Sequence, residues 1–548
     1  MKFSRVLPLL CSISSTNPII PGFNPDPSIQ RVGKDYFLVT SSFEWFPGVP
    51  VYHSTDLIRW ELIGHALNRP SQLDMRGTAP SGGIFAPTLR FNEEEQQFYM
   101  ITTFFDVISP PDVTRTPRAF YVTTKNIWDD ASWSDAIYCE QTGIDPDLFH
   151  EGGDTYLLTA LGAGFLGVED PGYFSIFKSL IDRTNGNPLT ETELFHISTL
   201  PLDTPRLAEG PHLYKRDRWY YLMTAEAGTA AEHRVMIKRS LSVDGPWEEN
   251  PANPILFNGK DLSQPVGATG HADLVDTPEG DWFLVFLGTR KQNPQNATGY
   301  NQLGRETFLA PVRWEDDWPI VNDNKPITLQ MDGLYELPRQ KIWRDDFDQD
   351  TFADKAYYTA RTPYRPFHSL TDKPGSLRLR GNAYTLSDRE TPAAFFRKQV
   401  DLEVVWSTEV DFQPTSERHE AGATVFLSIQ YHNEIAVTYK DGNRVVVART
   451  ARGPTAAITE EFFEIPTEGT VKLFIAAHRD HYELGYALGD EAASYVAKVS
   501  NRWLQSYVEG WQVFTGTFFG VYATGNQLPI LQPADFNFVQ TELLDDVS

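Results

Sequence analysis

Asn17-Pro-Ile-Ile-Pro-Gly-Phe-Asn-Pro-Asp-Pro-Ser28 sets four prolines and a glycine around one aspartate, directly ahead of the strand-like run Ile29–Val32. Proline fixes φ and donates nothing to a ladder, so a turn of this composition belongs at the mouth of a strand. It holds the Asp26 carboxylate in one orientation, as a working acid or base requires. A lone Asp-Pro is ordinarily a turn with a capping aspartate. Here the layout returns along the chain.

Short aromatic-apolar strands recur at Tyr36–Thr40, Phe98–Thr102, Thr155–Thr159, Tyr220–Thr224 and Trp282–Phe286. Aligned on Phe37, Tyr99, Tyr156, Tyr221 and Phe283, they lie 62, 57, 65 and 62 residues apart. Four of the five follow a charged or Gly-Asp turn, and polar-Trp endings such as Ser54–Trp60 and Leu241–Trp247 close some repeats. A near-constant period with several strands per repeat predicts propeller blades. The period exceeds the ~40–50 residues of compact blades, so each blade carries long loops. Five repeats predict a five-bladed β-propeller over residues 16–321.

Each aromatic strand is preceded by a chemistry-bearing group at a similar offset. Asp26 and Asp145 stand 11 residues before Phe37 and Tyr156; Glu209 and His271 stand 12 before Tyr221 and Phe283. The second repeat carries Ala86-Pro87 slightly further upstream. The first strand of every blade lines the propeller axis, so these positions are expected to converge at one mouth of the channel. Gathered carboxylates raise one another's pKa and are costly unless used. A solvated acidic rim, or a calcium site with oxygen ligands, is the plain alternative. Glycoside hydrolysis uses such a set: one acid stays protonated for the leaving oxygen and another stays ionised to activate water or attack carbon.

The 548-residue chain is rich in aromatics (13%), with 38 Gly and 38 Pro, a profile that suits an all-β protein of several domains. Its net charge of -26 repels phosphate backbones and anionic lipid, which argues against nucleic acid and membrane partners. A neutral sugar meets no such repulsion.

Phe23–Ser28, Gly143-Ile-Asp-Pro-Asp-Leu-Phe149 and Glu209-Gly-Pro-His-Leu-Tyr214 resemble the three acidic motifs of family 43 glycoside hydrolases. Ser42–Gly48, Gln72–Arg76, Gly82–Pro87, Thr269–Ala272 and Leu303–Thr307 resemble its β-xylosidase and α-L-arabinofuranosidase branch. The resemblance runs over nearly the whole chain. It implies a five-bladed propeller, an inverting mechanism and exo action on xylo- or arabinoxylo-oligosaccharides of the plant cell wall. Position by position, it makes Asp26 the general base, Glu209 the general acid and Asp145 the residue that orients that acid and raises its pKa. Asp147 is a rival to Asp145 but does not hold the register of Asp26. The resemblance also implies sugar contacts from His271 and Arg290, with Phe43 and Phe85 as pocket walls. Many relatives carry Trp where Phe85 stands. The glycine-rich stretch Ala160–Gly167 is a candidate rim. A non-catalytic carbohydrate-binding propeller, whose acids only hydrogen-bond sugar hydroxyls, is the alternative from another class.

Residues 322–343 read as a polar, Pro- and Gly-punctuated linker. Beyond it, alternating runs including Val400–Phe412, Ala423–Tyr431, Val471–Ala477 and Tyr482–Tyr486 predict an antiparallel β-sandwich over 344–548. It resembles the concanavalin-like C-terminal module of the same branch, one of whose loops reaches the active site. Thr517-Phe-Phe-Gly520 is the candidate loop, with Phe519 as the sugar contact.

At the other end, residues 1–15 carry positive charge, the apolar run Val6–Leu10 and small serines, like a short secretory signal. Secretion is the expectation, a cytoplasmic location its alternative. Cleavage there would remove Cys11 and leave Cys139 alone; the sequon Asn296-Ala-Thr298 is compatible with secretion. The chemistry requires no cofactor. A structural calcium ion is compatible with the channel, though no motif calls for one.

Overall fold

The aromatic strands that carry the repeat are the second strands of five four-stranded antiparallel sheets. The computed structural model describes residues 15–106, 116–162, 174–259, 261, 263–291, 301–331, 340–450, 458–505, 507–508 and 511–544. Most of the signal-like segment with Cys11, the sequon at Asn296 and most of the glycine-rich rim lie outside these residues.

Blade 1 comprises Ser28–Val32, Asp35–Val39, Gly48–Ser54 and Glu61–Leu67. The first strands of blades 2 to 5 are Gly83–Asn92, Ile144–Glu151, Ala208–Arg216 and Val266–Asp276. Each blade is built from one contiguous stretch. The second strands are apolar on both faces because alternate residues feed the two neighbouring interfaces. Phe37 and Val39 pack against blade 2, whereas Leu38 packs against blade 5. Leu157 faces blade 2 and Leu158 faces blade 4; Tyr221 faces blade 5 and Leu222 faces blade 3. Period 2 in the strand thus produces five inter-blade cores that close the ring.

The N-terminal turn completes the closure. Asn17 exchanges hydrogen bonds with the Leu309 backbone at 2.9 and 3.1 Å, Ile20 bridges Thr307, and the Asn24 N–H donates to the Arg305 carbonyl at 3.0 Å. Across the channel, a buried polar staple ties the first strands together. Asp273 accepts from the Ser28 hydroxyl (2.8 Å) and the Tyr214 hydroxyl (2.6 Å), and pairs with Arg90 at 3.1 Å. The same Arg90 pairs with Asp147 at 2.9 Å, and Asp147 accepts from the Leu213 N–H. All five first strands contribute to this network.

The C-terminal region forms two facing antiparallel sheets. One is eight-stranded and includes Val404–Asp411, Val471–Ala477, His481–Leu488 and Ala534–Leu543. The other is six-stranded and includes Ala393–Lys398, Phe518–Thr524, Glu420–Ser428 and Tyr431–Lys440. Their inner faces share one core around Trp406, Val425, Leu473 and Phe519. The outer face of the six-stranded sheet is apolar too, because it packs on the propeller: Phe396, Phe426 and Phe518 meet Phe23, Phe43 and Trp45. Trp45 stacks on Phe518 at 3.7 Å between ring centres. Lys398 reaches over the same boundary to donate to Asn24 Oδ1 at 2.7 Å.

Candidate active site

The residues predicted to converge do so, but their register is better measured from strand pairing than from sequence offset. Gln30, Arg90, Phe149, Tyr214 and Val275 are the partners of Phe37, Tyr99, Tyr156, Tyr221 and Phe283. Counting four residues back from each partner gives Asp26, Ala86, Asp145, Gly210 and His271. Glu209 is therefore one residue ahead of the repeat position that the sequence spacing assigned to it. The larger offsets of Ala86 and His271 come from longer hairpin turns, not from a shifted site.

At this position the backbone turns. Register shifts interrupt the first strands of blades 2 to 5 here, and Asp26, Asp145 and His271 have φ of 54°, 52° and 44°. Left-handed conformations cost such residues about 1–3 kcal/mol each and persist where the surroundings enforce them. In return, the bulges aim side chains into the channel mouth. Gly210 shares the conformation (φ 53°), and a Cβ there would lie 3.1 Å from the His271 ring. Its N–H donates to Asp145 Oδ2 at 3.0 Å, joining blade 4 to blade 3 beside Glu209.

Three acids in one pocket have opposed electrostatics. Burial works against ionisation of Asp26, but Arg305, His271 and the Ser41 hydroxyl outweigh it and hold the pKa below the usual carboxylate value. Arg305 Nη1 stands 3.1 Å from Asp26 Oδ1, and Ser41 Oγ donates to Oδ2 at 2.5 Å. Burial pushes Glu209 up to about 7, reinforced by the charge on Asp26 and resisted by Arg305. Burial also drives Asp145 well above the usual range, together with the charges of Glu209 and Asp26. Near neutral pH the pocket therefore holds an ionised Asp26 beside an Asp145–Glu209 pair that retains a proton. His271 lies between them, with Nδ1 3.5 Å from Asp26 and 4.0 Å from Asp145; burial lowers it to about 4, so it is neutral.

Asp147 has no place in this trio. Its carboxylate is spent on Arg90 and Leu213 in the channel staple, and despite burial those partners bring its pKa down to about 2. A residue two positions from Asp145 on a bulged strand meets a different neighbourhood.

Two sequence expectations are corrected. Arg290 does not point into the pocket: it forms a two-pronged pair with buried Glu306, both contacts at 2.7 Å, and donates to the Val400 carbonyl. The arginine at the site is Arg305, in Leu303-Gly-Arg-Glu-Thr307, one of the stretches that carry the family resemblance. Phe519 is not a sugar contact either. It stacks on Trp406 inside the sandwich at 5.6 Å, since neighbouring residues on a strand face opposite ways and Phe518 takes the propeller side.

The sandwich contribution is Phe514. Its ring stacks on Phe43 at 5.6 Å, lies 6.1 Å from Phe85, and sits with Phe43 under the Arg305 guanidinium. Its N–H donates to Ser81 Oγ at 3.0 Å, and the Thr517 N–H donates to the Gln302 carbonyl at 2.8 Å. Phe43 is only 2% exposed and backs the wall; Phe85 and Phe514 are half-buried. Behind His271 lies a second buried histidine, His233, lowered to about 3 by burial; its spacing matched no repeat position.

Residues 15–319 match the model of glycosyl hydrolases family 43, and residues 344–542 match the β-xylosidase C-terminal concanavalin A-like domain. The chain belongs to glycoside hydrolase family 43. This family 43 protein is 39% identical over 539 residues to a non-reducing end α-L-arabinofuranosidase of Bacteroides ovatus, covering 96% of this chain and 95% of that one. It is 33% identical over 551 residues to a β-xylosidase of Bacillus subtilis, covering 95% and 98%. A solved xylan β-1,4-xylosidase from Bacillus halodurans superposes with a TM-score of 0.86 at 31% identity, over 96% and 100% of the two chains. The family 43 chain is a glycosidase with a propeller and a concanavalin-like sandwich.

Proposed function

We propose that this glycosidase removes terminal D-xylose or L-arabinose from the non-reducing ends of xylan or arabinoxylan oligosaccharides, with inversion. The observation that carries the reading is the opposed ionisation of Asp26 and the Asp145–Glu209 pair in one aromatic-walled pocket. Asp26, kept ionised by Arg305, takes the proton of a water molecule as that water attacks the anomeric carbon. Glu209, kept protonated by burial and by the charge on Asp26, gives its proton to the departing glycosidic oxygen. Asp145 positions Glu209 through the Gly210 N–H, and the two retain a proton between them near neutral pH. His271 stays neutral and orients Asp26. Inversion needs the two working carboxyls roughly 6.5–9.5 Å apart, with room for the water. The reaction requires no cofactor, and the channel acids Asp147 and Asp273 already pair with Arg90.

Exo action is supported by Phe514. Held by Ser81 and packed on Phe43 and Phe85, it walls one side of the mouth from the sandwich. A groove open at both ends would suit internal cleavage; a walled one suits a chain end. Among the described residues no helix is long and apolar enough to cross a membrane, and the charge of -26 disfavours anionic partners.

Both pentoses remain in the proposal because relatives with either specificity cover nearly the whole chain. The test is product identification. Linear xylo-oligosaccharides and arabinose-decorated ones are incubated separately, and the released monosaccharide is identified. Xylose from linear chains establishes β-xylosidase action, and arabinose alone establishes arabinofuranosidase action. Release of neither sugar, with binding intact, favours the carbohydrate-binding alternative and overturns the proposal.

A further inference from the structure

The hairpin joining Val471–Ala477 to His481–Leu488 gathers two histidines and an acid on the sandwich, outside the propeller pocket. One nitrogen each of His478 and His481 and a carboxylate oxygen of Glu483 all lie within 4.8 Å of one another. The imidazoles stack at 4.5 Å between centres with 24° between planes. All three residues are half-buried, with side-chain exposures of 27%, 17% and 29%.

What surrounds the rings is as informative as their spacing. Nδ1 of His478 lies 3.0 Å from Glu403 Oε2, and Nδ1 of His481 lies 2.5 Å from Asp480 Oδ1. With each Nδ1–H donating to its carboxylate, Nε2 is the atom each ring can offer to a metal. Metal-binding histidines show this arrangement, an outer carboxylate fixing the tautomer and raising the basicity of the other nitrogen. Nε2 of His481 faces Glu483 Oε1 at 3.3 Å. A proton on Nε2 can bridge the two atoms, and a divalent cation bound between them would take its place. Ligands about 2.0–2.1 Å from a tetrahedral zinc ion stand about 3.3 Å apart, so the pair already has a separation that such an ion would accept. Lys498 Nζ, 3.6 Å from Glu483 Oε1, is the competing cation; it sits on an exposed side chain and can swing away.

We infer that His478, His481 and Glu483 form a binding site for a first-row divalent transition metal. Two imidazoles and one carboxylate favour zinc-like ions over calcium or magnesium, which prefer all-oxygen shells. Three protein ligands at a half-exposed position leave a coordination place for water. The site would also brace the boundary between the domains. Asn501 Nδ2 donates to the Arg479 carbonyl (2.7 Å) and to Gln302 Oε1 (2.9 Å), so the metal-binding turn is strapped to the loop that carries Arg305.

The test is titration of the chelator-stripped full-length protein with Zn2+, read by calorimetry, with Ca2+ and Mg2+ as controls and melting temperature recorded alongside. The expected result is one Zn2+ per chain at micromolar or tighter affinity, weakened at least tenfold by His481→Ala and by Glu483→Gln, with the zinc-induced rise in melting temperature lost in both. Asp26→Asn, which alters only the propeller pocket, should bind zinc as the unaltered protein does. Glu483→Gln nearly preserves shape, so it decides the matter if His481→Ala folds poorly. Absence of stoichiometric zinc binding overturns the inference, as does binding that Glu483→Gln leaves intact.

Discussion

Arg305 Nη1 stands 3.1 Å from Asp26 Oδ1, and the two come from opposite ends of the propeller sequence. The contact closes the ring and sets the charge of the proposed base together. Burial alone would favour the neutral form of Asp26; Arg305 is the largest of the groups that reverse it. Replacing Arg305 by Ala should therefore raise the Asp26 pKa and move the acidic limb of kcat/KM to higher pH. The expected loss at pH 6 is on the order of 10²-fold, within the range for impaired general-base catalysis. A pH profile that merely scales down, with its acidic limb unmoved, would show that Arg305 does not govern Asp26.

Glu209, pushed up to about 7, should set the basic limb of the unaltered enzyme, activity falling as that proton is lost. Glu209→Gln should lower turnover of natural oligosaccharides by about 10²–10⁴. Aryl glycosides with good leaving groups need little protonation and should lose far less. Equal losses on both substrate types would contradict the assignment.

Phe514 and Phe519 separate pocket from core. Phe519→Ala removes a ring stacked on Trp406 in the sandwich core and should cost about 3–5 kcal/mol of stability with little change in KM. Phe514→Ala should instead raise KM several-fold and open the mouth to longer chains, with a smaller change in melting temperature. Denaturant melts and Michaelis curves on both variants distinguish the two roles.

The channel staple predicts an acid limit to stability. Asp147 has a folded-state pKa of about 2, below the unfolded value of 3.8. A depressed carboxylate contributes stability that is fully present above the unfolded pKa and is lost as pH falls through the folded one, here between about pH 4 and pH 2, by about 2 kcal/mol. Asp273→Asn removes one of the two carboxylates that pair with buried Arg90 and should cost about 3–5 kcal/mol at pH 7. Denaturant midpoints measured across pH check both.

Much of this was legible in the chain. The period of the aromatic strands gave five blades because every second strand faces two neighbours and must be apolar throughout. The acids were found because the same turn recurs before each strand. What escaped depends on hairpin length and on side-chain partners. By sequence offset Glu209 shares the register of Asp26; strand pairing gives that place to Gly210. Arg290 and Arg305 lie 15 residues apart and look alike in sequence; Glu306, buried beside Arg290, decides which one is free for the pocket. Phe518 and Phe519 differ by one residue, which on a strand is the difference between two faces.

The stereochemistry of hydrolysis tests the central claim most directly. Aryl β-D-xyloside and aryl α-L-arabinofuranoside are hydrolysed in an NMR tube, and the first anomer of the free sugar is recorded before it equilibrates. A base-activated water at Asp26 opposite an acid at Glu209 predicts inverted product: α-xylose from the β-xyloside, or β-arabinose from the α-arabinofuranoside. Retained configuration would mean that a carboxylate attacks carbon directly, and the roles assigned to Asp26, Asp145 and Glu209 would be wrong.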